Sequence, residues 1–142
     1  MFIAIDGNST GRKIEKLIFG NDMKTLAEFS RLIQGRVNAM EEIIVRHSGS
    51  VIMAGGDNIL AEIPSFNDEL AGELESAAAG EEDYAFSIST AESAAGAYLG
   101  LKYAKATGRR LVEVQFAGNG EIIFADCRSG MGTEKSAFAE PY

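Results

Sequence analysis

The sequence predicts an α+β fold: a ferredoxin-like (RRM-like) antiparallel sheet with helices packed on it and an extra C-terminal hairpin. Segments with strand and helix periodicity follow one another in the order β, α, β, β, α, β, then a helix and a hairpin. The first six match a split βαβ plan, in which the first strand lies beside the strand that carries the central hairpin turn. At 142 residues, 46% apolar and with only 2 prolines, the chain is expected to form a single domain over 1–142 with a packed core.

Each element has a local reason. "MFIAID" is a short apolar run ending in an acid, suited to a central strand covered on both faces. "GNSTGRKIEKLIFG" opens with Ser9 and Thr10 as candidate N-caps and continues as a short helix. From Met23 to about His47, Leu26, Phe29, Ile33, Val37, Met40 and Ile44 recur every three or four residues, the face of a long amphipathic helix with a possible kink at Gly35. "VIMAGGDNILAEIP" reads as two strands joined at Gly55, Gly56, Asp57 and Asn58, with Pro64 ending the second. "FNDELAGELESAAAGEED" gives a helix stopping near Gly80, "YAFSISTA" a strand, and "AESAAGAYLGLKYAKATG" a helix ending at Gly108. "LVEVQFAGNGEIIFADC" is a hairpin turning on Gly118 to Gly120, and the tail from Arg128 has no assignment.

Composition excludes several classes. A net charge of −8 and a pI near 4.7 argue against a long nucleic-acid partner, which needs a basic stripe. No apolar run is long enough to span a bilayer, and "MFIAIDGN" has no basic n-region, so the expectation is a soluble, cytoplasmic protein with no membrane partner. Cys127 stands alone, which rules out an internal disulfide and a cysteine-rich metal site and predicts a small buried hydrophobe.

The split βαβ plan brings Asp6, at the end of the first strand, close to Asp57 at the hairpin tip. Two adjacent carboxylates repel, and a divalent cation reverses the sign; Mg²⁺ favours one or two carboxylates together with substrate phosphate oxygens. "DGNSTG", Asp6 to Gly11, supplies a glycine and small polar residues between a strand end and a helix start, where free N–H groups hold phosphate. Lys102, Lys105 and Arg109, spaced by three and four, are expected on one helical stripe that reaches a terminal phosphate or faces solvent. Taken singly, each feature has a plainer reading: a strand-end turn at Asp6, a simple hairpin turn at Gly55 to Asn58, a solvated face for the cations and a helix-end residue at His47. Asn21 and Asp22 could touch a base edge, though loop capping is the simpler role. The joint occurrence of these features in this order carries the case.

"FIAIDGNSTGRKIE", "MAGGDNIL" and "AYLGLKYAKATGRRLVEV" resemble the three signature regions of the minimal CRISPR polymerase family, mCpol. That family is related to the palm domains of type III CRISPR polymerase subunits and of GGDEF diguanylate cyclases, and the resemblance runs from Phe2 to about Phe116. It implies a palm domain in which Asp6, the main-chain carbonyl of Gly7 and Asp57 hold Mg²⁺ (or Mn²⁺). It further implies that Lys105 and Arg109 bind phosphate, and that Gly7, Asn8, Ser9, Thr10, Gly11, Gly55, Gly56 and Asn58 line the nucleotide. Asn58 stands where many relatives carry an acid, and Asn8 where some do. The implied activity is nucleotidyl transfer from nucleoside triphosphates, ATP first among them, to a cyclic di- or oligonucleotide signal in bacterial anti-phage defence, carried out by a homodimer. The residues alone also allow a degenerate nucleotide sensor, a mononucleotide cyclase, or an interaction module whose GGD is only a turn.

Overall fold

The computed structural model describes residues 1–80 and 85–126, and the backbone of 134–136. Cys127 and most of the tail lie outside the described residues. The elements are β1 (Phe2–Gly7), α1 (Thr10–Phe19), α2 (Met23–Arg46), β2 (Ser50–Gly55), β3 (Asn58–Glu62), α3 (Asp68–Ala78), β4 (Phe86–Ala91), α4 (Ala94–Thr107), β5 (Leu111–Phe116), β6 (Ile122–Asp126) and β7 (Glu134–Ser136). They build one sheet in the order β2-β3-β1-β4-β5-β6-β7, of which the first four strands are the ferredoxin-like unit.

Every pairing is antiparallel except β4 with β5, so the sheet is mixed. The 14-residue α4 joins those two strands as a crossover, a connection that leaves its strands parallel. The expected hairpin forms from β5 and β6: Gly120 N–H donates to Ala117 O at 3.0 Å and Ala117 N–H to Glu121 O at 2.9 Å.

Alternation along β1 divides the core between two faces. Ile3 and Ile5 pack with Leu17 of α1, with Phe29, Ile33, Val37, Met40 and Ile44 of α2, and with Leu70 and Leu74 of α3. Ala4, between them, faces the other way and packs with Ala97, Leu101 and Ala104 of α4 and with Val112, Val114 and Phe124. The apolar run at the start of the chain is therefore a central strand buried on both sides, and α2 continues unbroken through Gly35.

Among the described residues, helix starts follow short polar side chains in three cases out of four. Asp22 Oδ1 accepts from Thr25 N–H at 3.2 Å, Asn67 Oδ1 from Leu70 N–H at 2.8 Å, and Ser93 Oγ from Gly96 N–H at 3.0 Å. Asp22 thus has the capping role. Ser9, at the N-cap position of α1, does not cap with its side chain: its φ of 61° is left-handed and its hydroxyl makes no bond to the first turn. The expected serine or threonine cap is absent because the chain turns sharply out of β1 here, and the first N–H groups of α1 are left without a side-chain acceptor. Among the described residues no helix is long and apolar enough to cross a membrane.

Candidate active site

The site is set by main-chain register. Asp6 of β1 pairs with Asn58 of β3, and Gly55 of β2 pairs with the same Asn58, so the turn residues Gly56 and Asp57 lie just beyond the C-terminal end of β1. Gly56 has φ +59°, a conformation that glycine adopts without strain. Gly7 N–H donates to Asp57 O at 3.0 Å and fastens the turn to the strand end.

Gly7 is a place of close approach. A Cβ there would lie 2.7 Å from Asp57 Oδ2 and 2.5 Å from Thr10 Oγ1, so only glycine lets the Asp57 carboxylate and the Thr10 hydroxyl converge over the strand end. Thr10 Oγ1 is buried and, among the described residues, has no hydrogen-bond partner. Gly11, in the first turn of α1, and Gly55, ending β2, are open: a Cβ at either would meet nothing within 4 Å.

Asp6 shares the face of Ala4, the one that α4 covers. That helix packs very closely on the sheet, because a Cβ at Gly96 would lie 2.9 Å from Ala91 Cβ and one at Gly100 would lie 1.8 Å from Ser89 Oγ. The close approach brings Lys105, in the last turn of α4, over the end of β1. Its Nζ donates to Asp6 Oδ2 at 2.5 Å and to Gly7 O at 3.2 Å. Asn8 is held by its neighbours: its N–H donates to Ala85 O at 2.8 Å and its Oδ1 accepts from Ser87 Oγ at 2.8 Å.

Three hollows open around this strand end. The cavity beside Lys105, of about 460 Å³, is lined by Asn8 and Ser9 together with Lys105, Arg109 and Arg110. A second, of about 220 Å³, lies between α1, α2 and the turn, with Ile14, Phe29 and Ile33 as an apolar floor and Thr10, Gln34 and Asp57 at its rim. A recess of about 70 Å³ is shared by Asp6, Asn58 and Tyr98.

The helical stripe expected for the cations is not what forms. Gly108 takes a left-handed φ of 71° and caps α4 after Thr107, so Arg109 leaves the helix and is no longer one turn beyond Lys105. Its guanidinium lies 5.6 Å from the centre of the Tyr103 ring and still reaches the cavity, while Lys102 is exposed and does not line it. Sequence reasoning missed Arg110, the third cation of the wall, although the adjacent "RR" after a helix-ending glycine was there to be noticed. It also missed Ser87, which positions Asn8.

The donor atoms that Asp6, Asp57 and the Gly7 carbonyl offer are all oxygen, a chemistry that suits a hard divalent cation such as Mg²⁺ or Mn²⁺. The cradle at Gly7 and the partnerless Thr10 hydroxyl fit a ligand rich in charge and hydrogen-bonding atoms. A different donor set occurs at the far end of the sheet, where ligand atoms of His47, Glu69 and Glu73 lie within 4.8 Å of one another. There Arg46, the last residue of α2, and His47 just after it reach Glu73 of α3 at 2.9 and 3.3 Å, and these hydrogen bonds, that of Arg46 first, hold the Glu73 carboxyl below the usual glutamate value. His47 thus ends its helix, as the plainer reading had it, and ties it to α3.

Comparison with curated proteins and with solved structures returns no match. The model of the minimal CRISPR polymerase domain matches residues 2–115, which takes in β1, the GGDN turn, α4 and nearly all of β5. With that match covering most of the chain and all the residues that meet at the end of β1, the protein belongs to the mCpol family, the minimal CRISPR polymerase domains, and has a polymerase- or cyclase-like, nucleotidyltransferase-type role.

Proposed function

We propose that the protein is a metal-dependent nucleotidyl cyclase that joins nucleoside triphosphates, ATP first, into a cyclic di- or oligonucleotide used as a signal in bacterial anti-phage defence. One observation carries the reading: the Asp6 carboxylate and the Gly7 carbonyl, both reached by Lys105, lie at a strand end to which the Asp57 turn is fastened, beside a cavity lined by Lys105, Arg109 and Arg110. Acidic and basic groups thus stand side by side, as a metal–triphosphate complex requires, and a hollow of about 460 Å³ has the size of a small-ligand site.

In this reading Asp6, Asp57 and Gly7 O hold Mg²⁺ or Mn²⁺, which when bound lowers the pKa of the attacking hydroxyl and neutralises the leaving group. Lys105, Arg109 and Arg110 bind the β- and γ-phosphates, and the uncapped start of α1 with the Thr10 hydroxyl faces the phosphate chain. A ribose hydroxyl of one nucleotide attacks the α-phosphorus of another; the new P–O bond forms as the bond to pyrophosphate breaks, and the hydroxyl proton passes to solvent. The apolar slot over Ile14, Phe29 and Ile33 suits the flat face of a base, with Gln34 at its edge. One site makes one bond, so ring closure calls for two sites facing each other in a symmetric dimer.

The test is to incubate the purified protein with each ribonucleoside triphosphate and Mg²⁺ or Mn²⁺ and to identify products by mass. A cyclic product with pyrophosphate is expected, reduced at least about a hundredfold by Asp57→Ala. Unchanged product from that variant would overturn the assignment. Sedimentation with nucleotide and metal checks the dimer. A second reading, nucleotide binding without turnover, draws on Asn8, whose side-chain oxygen is engaged by Ser87 where some relatives have an acid; it predicts ATP binding with no pyrophosphate.

A further inference from the structure

The Lys105 ammonium group bridges Asp6 Oδ2 at 2.5 Å and Gly7 O at 3.2 Å, two of the three oxygens assigned above to the cation. We propose that Lys105 is a built-in stand-in for that cation: it fills the position in the nucleotide-free chain and leaves it for the phosphates when a metal–triphosphate complex enters. The inference rests on the reading of Asp6, Gly7 O and Asp57 as cation ligands.

Two observations and one electrostatic argument support the exchange. Lys105 sits in the last turn of α4 with a side chain 37% exposed, so its long arm can turn without repacking the core. The same residue lines the cavity that holds Arg109 and Arg110, so the ammonium has only to swing from the strand end to the phosphate wall. The electrostatics favour the coupled step over the separate one. A bare divalent ion would have to displace an ammonium from a carboxylate and then tolerate it as a near neighbour, two like charges in a half-exposed site. A triphosphate removes that opposition by offering the ammonium new anionic oxygens. Cation and nucleotide should therefore bind with positive coupling, each strengthening the other by the same factor.

The experiment is a Mn²⁺ titration followed by the electron paramagnetic resonance signal of the free ion. It is run on the whole protein with and without a non-hydrolysable α,β-methylene analogue of ATP. Wild type is expected to bind Mn²⁺ weakly alone and much more tightly with the analogue. Lys105→Met keeps the length of the side chain without its charge, and is expected to bind Mn²⁺ about fivefold tighter than wild type without nucleotide while gaining less from the analogue. Lys105→Gln, a polar and equally uncharged replacement, should behave alike, and circular dichroism of both checks the fold. A parallel titration of His47→Gln identifies Mn²⁺ held by His47, Glu69 and Glu73.

The outcomes separate the two levels. If Asp57→Ala leaves Mn²⁺ binding with the analogue unaltered, the ligand assignment fails and the exchange with it. If Asp57→Ala abolishes that binding while both Lys105 variants bind Mn²⁺ no tighter than wild type in the absence of nucleotide, the ligands stand and the stand-in role is overturned.

Discussion

The replacement Gly100→Ala tests whether α4 owes its position to the absence of a single side chain. The added Cβ would lie 1.8 Å from Ser89 Oγ, 2.7 Å from Val114 Cγ2 and 2.9 Å from Ser89 Cβ, all inside the 3.4 Å at which ordinary contact begins. Rotation of the serine hydroxyl can relieve the first of these, but the other two belong to strands that cannot yield without moving the sheet or the helix. Overpacking of this kind costs about 1–3 kcal/mol. A cost of about 2 kcal/mol lowers the melting temperature of a domain this size by roughly 6–10 °C, which scanning calorimetry resolves easily. The partner substitution sharpens the test. Ser89 is fully buried and its hydroxyl has no partner among the described residues, so Ser89→Ala alone should be neutral or stabilise by up to about 1 kcal/mol. Combined with Gly100→Ala it should recover part of the loss, because the closest contact is gone while Val114 Cγ2 remains. Nucleotide affinity should fall in the Gly100→Ala variant as Lys105 is carried away from the cavity it lines with Arg109 and Arg110. A Gly100→Ala variant as stable as wild type, with no coupling to Ser89→Ala, would refute the idea that close packing positions the helix.

Other expectations are more direct. Arg36 donates to Ala77 O at 3.0 Å and to Ala79 O across the end of α3, so Arg36→Met should cost about 2 kcal/mol in urea unfolding. Thr10→Val keeps the shape and removes a buried hydroxyl that has no partner among the described residues; stability should hold or rise while ATP binding, measured by calorimetry, weakens. Glu73 has its carboxyl held below the ordinary value of 4.5, first by the hydrogen bond from Arg46 and then by that from His47. A depressed carboxyl contributes stability above the unfolded pKa and loses it as pH falls through the folded one, so wild type and Glu73→Gln should differ near neutrality and converge below that value. Melting temperatures taken between pH 3 and 7 would check this.

Much of the architecture was legible because it depends on period and punctuation. The three- and four-residue spacing from Leu26 to Ile44, the GGDN turn and the glycine ending α4 each carry their own physical signature. Docking was less legible. The parallel pairing of β5 with β4 and the placing of α4 opposite the other helices depend on which surfaces meet, and the small residues that decide it, Gly96, Ala97, Gly100 and Ala104, give α4 no strong apolar stripe. Arg109 was misplaced because its spacing from Lys105 reads as helical unless the left-handed turn at Gly108 is given priority. At Ser9 composition favours a side-chain cap, and the backbone turn leaving β1 overrides it.

The pairing of Asp6 with Asn58 has a consequence for how this sequence can change over generations. Separation of the two acids is counted in rungs of the β1–β3 ladder, and the side chains between them take little part in setting it. Ile5, Ile59 and Leu60 can drift among apolar residues of similar size while the acids keep their places. A single residue gained or lost between 58 and 62 would turn the rest of that strand inside out and carry Asp57 away from Gly7. Substitution along this hairpin is readily absorbed, and change of length is not.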